Sequence, residues 1–453
     1  MSACSGKASV SSLTSSDTIE IPIEHEYSKA TIEGIEYKFD HSAHTAEVLS
    51  LQNVNITVLK ITEKIKYNNE WYNVTRIGNM AFKQCYELTT VILPNSILEI
   101  GTCAFIFCNN LKSVVLPNSV KKVGGDVFSY CENLNEIVHN NHIFAHLPQS
   151  YKGAYSVPNG IEIIVDGAFY KCDQLTSVTI PNSVKHIDGM AFSCCNNLSA
   201  PVYNDHLFAY LPSCWRGEFS IPEGIENIAS MAFFSADKMT KLVFPKSVKG
   251  IDANDYYFND VFLDCSSLRS FDVHPENQYF SSIDGMLYNK KGTKLIKVPN
   301  AKYGKVVILE DVTVIDTFAF ANTTHLNYIE VESGNQCYSS SLDGVLFNKS
   351  KSSLVACPGG KQNSYIIPDG VEVIESGAFA FSNLSTIVIP NSVTSIKRHA
   401  FRNCDKLSTL KIPQSVVSIE EEAFWGDSDL TLILPESLRG KVDVWAEDKV
   451  IYY

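Results

Sequence analysis

No hydrophobic run in this chain of 453 residues reaches the eighteen or more that a membrane span needs, so the sequence offers no transmembrane segment. Positive charge is in deficit as well: 37 Lys and Arg stand against 50 Asp and Glu, a formal net charge of −13. That balance excludes, for the chain as a whole, a basic footprint for nucleic acid or a polybasic patch for anionic lipid. The 13 cysteines include no CxxC pair and none of the zinc spacings. Met1 to Ser16 lacks a charged start followed by an apolar stretch, so it does not read as a full signal peptide. His25-Glu26 would open a zinc-protease motif, but Lys29 stands where the second histidine must be. Gly360-Lys361 lacks the upstream glycine of a phosphate loop and runs into Gln362. Nothing resembles a nucleophile with its base. The chain therefore reads as a protein that is not an enzyme and has no cofactor or metal.

What is present is a repeat. In IPNSVKHIDGMAFSCCNNL, Ile180 to Leu198, count from Pro181 as zero: aliphatics fall at +3 and +6 (Val184, Ile187), Ala191-Phe192 at +10 and +11, Cys195 at +14 and Leu198 at +17. The phenylalanine marks eleven copies: Phe82, Phe105, Phe128, Phe169, Phe192, Phe233, Phe262, Phe320, Phe379, Phe401 and Phe424. Uninterrupted copies are 23 residues apart, as from Pro94 to Pro117 and from Pro390 to Pro413. A fixed period of that size means a stacked solenoid.

Each copy is legible physically. From Val178 the side chains alternate, which makes a short strand with one face buried. Pro181-Asn182 turns the chain, because proline cannot donate to a ladder and Asn tolerates turn geometry. A second extended piece carries Val184 and Ile187 inward. Phe192, Cys195 and Leu198 then follow at i, i+3, i+6, the spacing of one or two helical turns. No single coil buries both ends of such a stripe, so the array depends on neighbours and its phenylalanines form an internal column. Seven cysteines (Cys85, Cys108, Cys131, Cys172, Cys195, Cys265, Cys404) share the +14 position with Ala236, Thr323, Ser382 and Asp427 in other copies. A place that accepts such residues is a packing slot and not a bridge.

The string resembles the BspA-type leucine-rich repeat, a variant with this period found in surface antigens of anaerobic bacteria and some protists. The resemblance covers roughly Asn73 to Pro435. It implies a right-handed leucine-rich-repeat superhelix with a parallel strand ladder on its concave side, β-rich with short helical turns, displayed on the cell surface. For some members it implies adhesion to host proteins or other cells.

In chain order, residues 1–17 read as a serine-rich tether. Its Ser2-Ala3-Cys4 resembles the cleavage site of a trimmed bacterial lipoprotein, which makes Cys4 a lipidation candidate. Residues 18–72 read as an N-terminal β cap, 73–435 as the solenoid of eleven coils, and 436–453 as a C-terminal cap. Four insertions interrupt the period, near 139–157, 203–221, 273–299 and 332–358. The first two match each other and are expected to add antiparallel strands on one face or edge. The last two carry Asp284-Gly285 and Asp343-Gly344 between β-formers, a hairpin signal.

The outward residues of the ladder are then the candidate binding surface: Thr90, Ile92, Ser113, Val115, Glu136, Val138, Ser177, Thr179, Lys241, Val243, Ser270, Asp272, Tyr328, Glu330, Thr386, Val388, Thr409 and Lys411. Thr, Ser and Val are also ordinary strand residues, so the same list suits a plain β surface. A wide array of weakly charged groups suits an extended protein ligand better than a small molecule, which wants a pocket. The expectation is a surface-displayed or secreted protein-binding solenoid. The alternatives are a glycan-binding module, with Tyr203, Tyr210 and Trp215 as an aromatic platform, or a structural spacer. The pairs His139/His142 and His41/His44 read as structural, and Glu420 to Glu422 as a solvated face.

Overall fold

The computed structural model describes residues 27–252, 260–427, 429–442 and 447–453. Cys4, the tether and His25-Glu26 lie outside them. The chain is a β-solenoid of about fifteen turns with almost no helix. Most turns contribute a strand to each of two interrupted rows of short, mainly parallel sheets. The longer strands build the ladder: Leu175–Thr179 pairs with Gly153–Ser156, Met239–Phe244 lies between Gly217–Ser220 and Ser270–Val273, and Thr431–Leu434 lies between Thr409–Lys411 and Val450–Tyr452. Two-residue strands such as Ile163–Ile164 and His186–Ile187 build the second sheet. The ladder's first strand, Val58–Lys60 against Thr90–Ile92, already lies inside the segment 18–72.

The insertions account for the turns beyond eleven. Ile143–His146 pairs antiparallel with Val138–His139, as expected, but then runs parallel to Ile163–Ile164 in the second sheet, and Gly153–Ser156 supplies a ladder strand. Leu207–Tyr210 and Gly217–Ser220 do the same two coils later. An insertion is therefore a short turn of the solenoid without the Ala-Phe segment, and not an appendage on one face. The Asp-Gly pairs are hairpin tips: Asp284 and Gly285 both have positive φ, 51° and 73°, in a two-residue connection between Phe280–Ile283 and Met286–Asn289.

The Ala-Phe segment departs from the expected helical turns. It is a run of i to i+3 bonds, such as Cys195 N to Phe192 O at 3.3 Å and Leu198 N to Cys195 O at 3.2 Å. The residue two after the phenylalanine is left-handed in all eleven coils, from Gln84 at φ 62° to Gly426 at 88°, and a right-handed helix cannot pass through such a residue. The break has a use. Phe82 N donates to Ala104 O at 2.8 Å, Phe169 N to Ala191 O at 2.8 Å and Phe401 N to Ala423 O at 2.8 Å. A helix would satisfy those N–H groups internally and leave nothing to bind the next coil.

Inside, the phenylalanines stack almost parallel: Phe169 on Phe192 at 4.8 Å and 9°, Phe379 on Phe401 at 5.2 Å and 2°. The insertions continue the column, with Tyr210 on Phe192 at 5.4 Å and Phe208 on Phe233 at 5.1 Å. The large core runs from Ile35 to Leu287, a small one from Met286 to Ala356, and a third from Val345 to Leu438.

Two polar devices pin the stack. Thiols in the +14 slot donate to the preceding coil: Cys108 to Phe82 O at 3.1 Å, Cys195 to Phe169 O at 3.0 Å, Cys265 to Phe233 O at 3.1 Å and Cys404 to Phe379 O at 3.1 Å. The twelve described cysteines are free. Burial pushes the Cys172 thiol up to about 12. The second device is an asparagine at the start of every insertion. Asn204 Nδ2 donates to Pro181 O and Val184 O, while its Oδ1 accepts His206 N and Leu207 N. Asn140, Asn277 and Asn335 make the same set of bonds in their turns.

Candidate binding surface

Alternation along the ladder strands places the candidates outward. Ile92, Val115, Thr179, Thr386, Val388, Thr409 and Lys411 are exposed, and Thr90, Ser113, Ser177, Lys241 and Val243 are half-buried. One pair departs from this. Val138 is buried at 1% exposure and Ile137 faces solvent at 40%, because the strand slips register where it turns back against His146. Glu136 stays exposed.

The surface is graded. Its middle is charged: Lys241 Nζ lies 2.9 Å from Asp272 and 3.5 Å from Glu218, and Lys305 lies 2.6 Å from Glu330. The Asp272 carboxylate beside it raises the Lys241 ammonium further. These pairs are solvent-accessible and contribute little to stability. Toward the ends the outward residues are aliphatic, with Val115 at 74% exposure and Ile366 at 69%. At the C-terminal end Val388, Lys411 and Tyr453 line one groove of about 510 Å³. The Lys411 ammonium stands 4.6 Å over the Tyr453 ring, whose hydroxyl donates to Ile412 O at 2.9 Å.

The aromatic platform does not assemble. Tyr210 is half-buried on Phe192, and burial pushes its hydroxyl up to about 12. Trp215 packs edge-on against Phe219 at 5.1 Å and donates from Nε1 to Glu218 O. Both rings are half-buried against the core, so Tyr203, at 45% exposure, is the most exposed of the three candidate rings. The histidines hold structure: His41 lies 2.7 Å from Tyr72 OH and 2.8 Å from Ser28 Oγ, His44 stacks on Tyr72, and His139 stacks on Phe144. Among the described residues no three His, Cys, Asp or Glu side chains converge on a metal position. Lys361 is a clamp on the hairpin carboxylate of Asp343 at 2.9 Å, as Lys302 is on Asp284 at 2.7 Å. The acidic run is not simply solvated: Glu420 pairs with Lys397 at 2.9 Å and Glu422 with Arg398 at 2.8 Å, joining two coils.

Sequence reasoning passed over the hairpin tips as part of this surface. Gly285 O accepts Phe271 N at 2.8 Å and Gly344 O accepts Ile329 N at 2.9 Å, so both tips dock beside ladder strands. Leu342, at a tip, is fully exposed. The matched lysines, each three residues after Pro299 or Pro358, were the available signal.

The model of the BspA-type leucine-rich repeat region matches in six copies, over residues 61–146, 140–268, 217–303, 299–358 and 355–440. No curated protein sequence matches the chain significantly. Among solved structures, a leucine-rich cell surface protein from Faecalibacterium prausnitzii is 22% identical, over 90% of this chain and 89% of that one, with a TM-score of 0.33. A leucine-rich repeat protein from Bacteroides ovatus is 21% identical, over 94% and 99%, with a TM-score of 0.33. The pneumococcal vaccine antigen PcpA is 20% identical, over 90% and 81%, with a TM-score of 0.28. Among the described residues no helix is long and apolar enough to cross a membrane.

Proposed function

The chain belongs to the BspA-type leucine-rich repeat family, and from that membership we propose a recognition protein, displayed on the cell surface or secreted, that binds an extended protein ligand along the strand ladder. The observation that supports this is the ladder face itself. It is a long row of outward side chains, aliphatic at Val115, Ile366 and Val388 and charged between them. Aliphatic patches toward each end give a protein ligand apolar surface to bury, and the charged stretch between them fixes its register by charge matching. Lipidation of Cys4 would tether such a protein to a membrane surface.

The test is a binding screen of the full chain against host matrix proteins and a glycan array side by side, followed by variants on whatever ligand is found. Val243→Glu with Val388→Glu should weaken a protein ligand by at least about a hundredfold, since an unpaired charge in an interface costs several kcal/mol. Circular dichroism should stay unchanged, because both side chains point away from the core. Loss of binding in Tyr203→Ala, with affinity kept in the ladder variant, would move the site onto the insertion and overturn the reading.

A further inference from the structure

Beside the second sheet, between Arg76 and Met231, lies a cavity of about 280 Å³ that the ladder does not use. It exists because glycines stand just past the second-sheet strands. A Cβ at Gly125 would come within 2.8 Å of Asp166 Oδ2, and one at Gly189 within 3.2 Å of the Met231 side chain. Side chains there would close the space.

Two features of its wall point to an occupant. The first is the carboxylate of Asp166, which is 6% exposed. Its Oδ1 accepts Met190 N at 2.8 Å, and its charged neighbours, Asp126 and Asp188, carry the same sign. The nearby basic groups are already engaged: His186 lies 2.9 Å from Asp188, and Arg76 and Lys122 pair with Glu47 and Glu99. The second feature is Ser230, which lines the same cavity at 2% exposure and whose hydroxyl has no hydrogen-bond partner among the described residues. A buried carboxylate among like charges and a buried orphan hydroxyl are each unfavourable alone. One cationic donor answers both. The rest of the wall sets the apolar Val123, Met190 and Met231 beside Asn79, Thr102 and the paired Arg76, Glu99 and Lys122.

We propose that this cavity binds a small aliphatic ammonium, Asp166 taking its charge, Ser230 accepting one of its N–H bonds and the methionines covering its methylenes. An anion is disfavoured, because the wall's two cations, Arg76 and Lys122, are already paired with Glu47 and Glu99 while Asp166 has only like-charged neighbours. A divalent metal lacks its ligand set, since no three such side chains converge among the described residues. A sugar lacks a stacking ring, because no aromatic residue lines the cavity among the described residues. The ammonium can come from a free amine or from the side chain of a lysine, and the chemistry read by the site is the same.

Titration calorimetry of the full chain at pH 8 separates these outcomes, using 1,5-diaminopentane, Nα-acetyl-lysine methylamide, n-pentanol and calcium chloride. Saturable one-site binding of an amine is expected, with none for pentanol. Diaminopentane binding alone identifies a free amine, and equal or tighter binding of the lysine amide identifies a side chain. Asp166→Asn should weaken the amine at least about tenfold and Ser230→Ala about threefold to tenfold, as charged and neutral hydrogen bonds do. Ser230→Ala deletes a group that bonds nothing in the fold, so it tests the site even if Asp166→Asn misfolds. The proposal is overturned if neither amine binds, if pentanol binds as well as the amines, if calcium binds and the amines do not, or if both variants keep wild-type affinity.

Discussion

Asp166 sits in the fold against the preference of its own charge. Burial, and then the nearby Asp126, push its carboxyl up to about 7 from an ordinary 3.8. Its folded value therefore lies above the unfolded one, so the folded state holds the proton more tightly. The sign follows: the contribution to stability is most favourable below about pH 4, is lost as pH rises toward 7, and is flat above that. Asp166→Asn removes the titration. Its melting temperature should exceed that of the wild type at pH 8, by an amount worth up to about 4 kcal/mol, and the gain should vanish by pH 4. A variant that melts lower than the wild type at pH 8 would mean that the carboxylate is stabilised by a partner other than Met190 N. A residue that costs stability where the protein works is the pattern of a binding group kept for function. The +14 cysteines show the opposite case, a buried group that fits its place. Their slot was legible because small residues alternate there, but their hydrogen bonds were not. Cys195 reaches Phe169 O, 26 positions back, and a reading in steps of 23 does not pair those two.

At the scale of elements, the asparagine that opens each insertion does the work of a splice. A short turn must leave the ladder early, and at that point Pro181 O and Val184 O have, besides Asn204, one partner each, Val184 N and His206 Nε2. Asn204 satisfies both and orders its own next two amides. Asn204→Ala removes four hydrogen bonds and leaves the His206 and Leu207 amides without their acceptor, so at least about 2 kcal/mol of local stability should be lost. The exposed Asn196→Ala is the control and should change stability by less than about 0.5 kcal/mol. Denaturant unfolding of the two variants decides it, and equal midpoints would refute the splice. The matched strings NNHIF and NDHLF showed that these segments were related, yet they were expected to add strands on one face or edge. The reason is physical. Without the Ala-Phe segment a turn loses its sequence signature, while its strands can still join both sheets. The helical turns were misread for a complementary reason: i, i+3, i+6 fits consecutive β-turns as well as a helix, and the left-handed residue between them is Gln84 in one coil and Phe107 in another, with no shared chemistry to announce it. Strand alternation, by contrast, placed the ladder face correctly except at Val138, where the register slips.

Across the whole molecule, the interior divides along the chain. The core that holds Phe192 ends at Leu287, and the one that holds Phe401 begins at Val345. In a stack of this kind each turn contacts mainly its neighbours, so damage should stay near its origin. Phe192 sits between Phe169 at 4.8 Å and Tyr210 at 5.4 Å. Phe192→Ala opens a cavity that removes both contacts, at roughly 3 to 5 kcal/mol. Hydrogen exchange along the chain should then speed up in the turns from Phe144 to Phe233 and leave Val345 to Leu438 at wild-type protection. The amides that report it are the inter-coil ones, Phe169 N to Ala191 O and Lys171 N to Ser193 O, because they break when two turns separate. Equal loss of protection from Tyr27 to Tyr453 would mean one cooperative unit, and would require the small core from Met286 to Ala356 to couple the two large ones rigidly. The local outcome bears on recognition as well. A ladder whose turns open independently can be damaged at one end and still present its other end to a ligand.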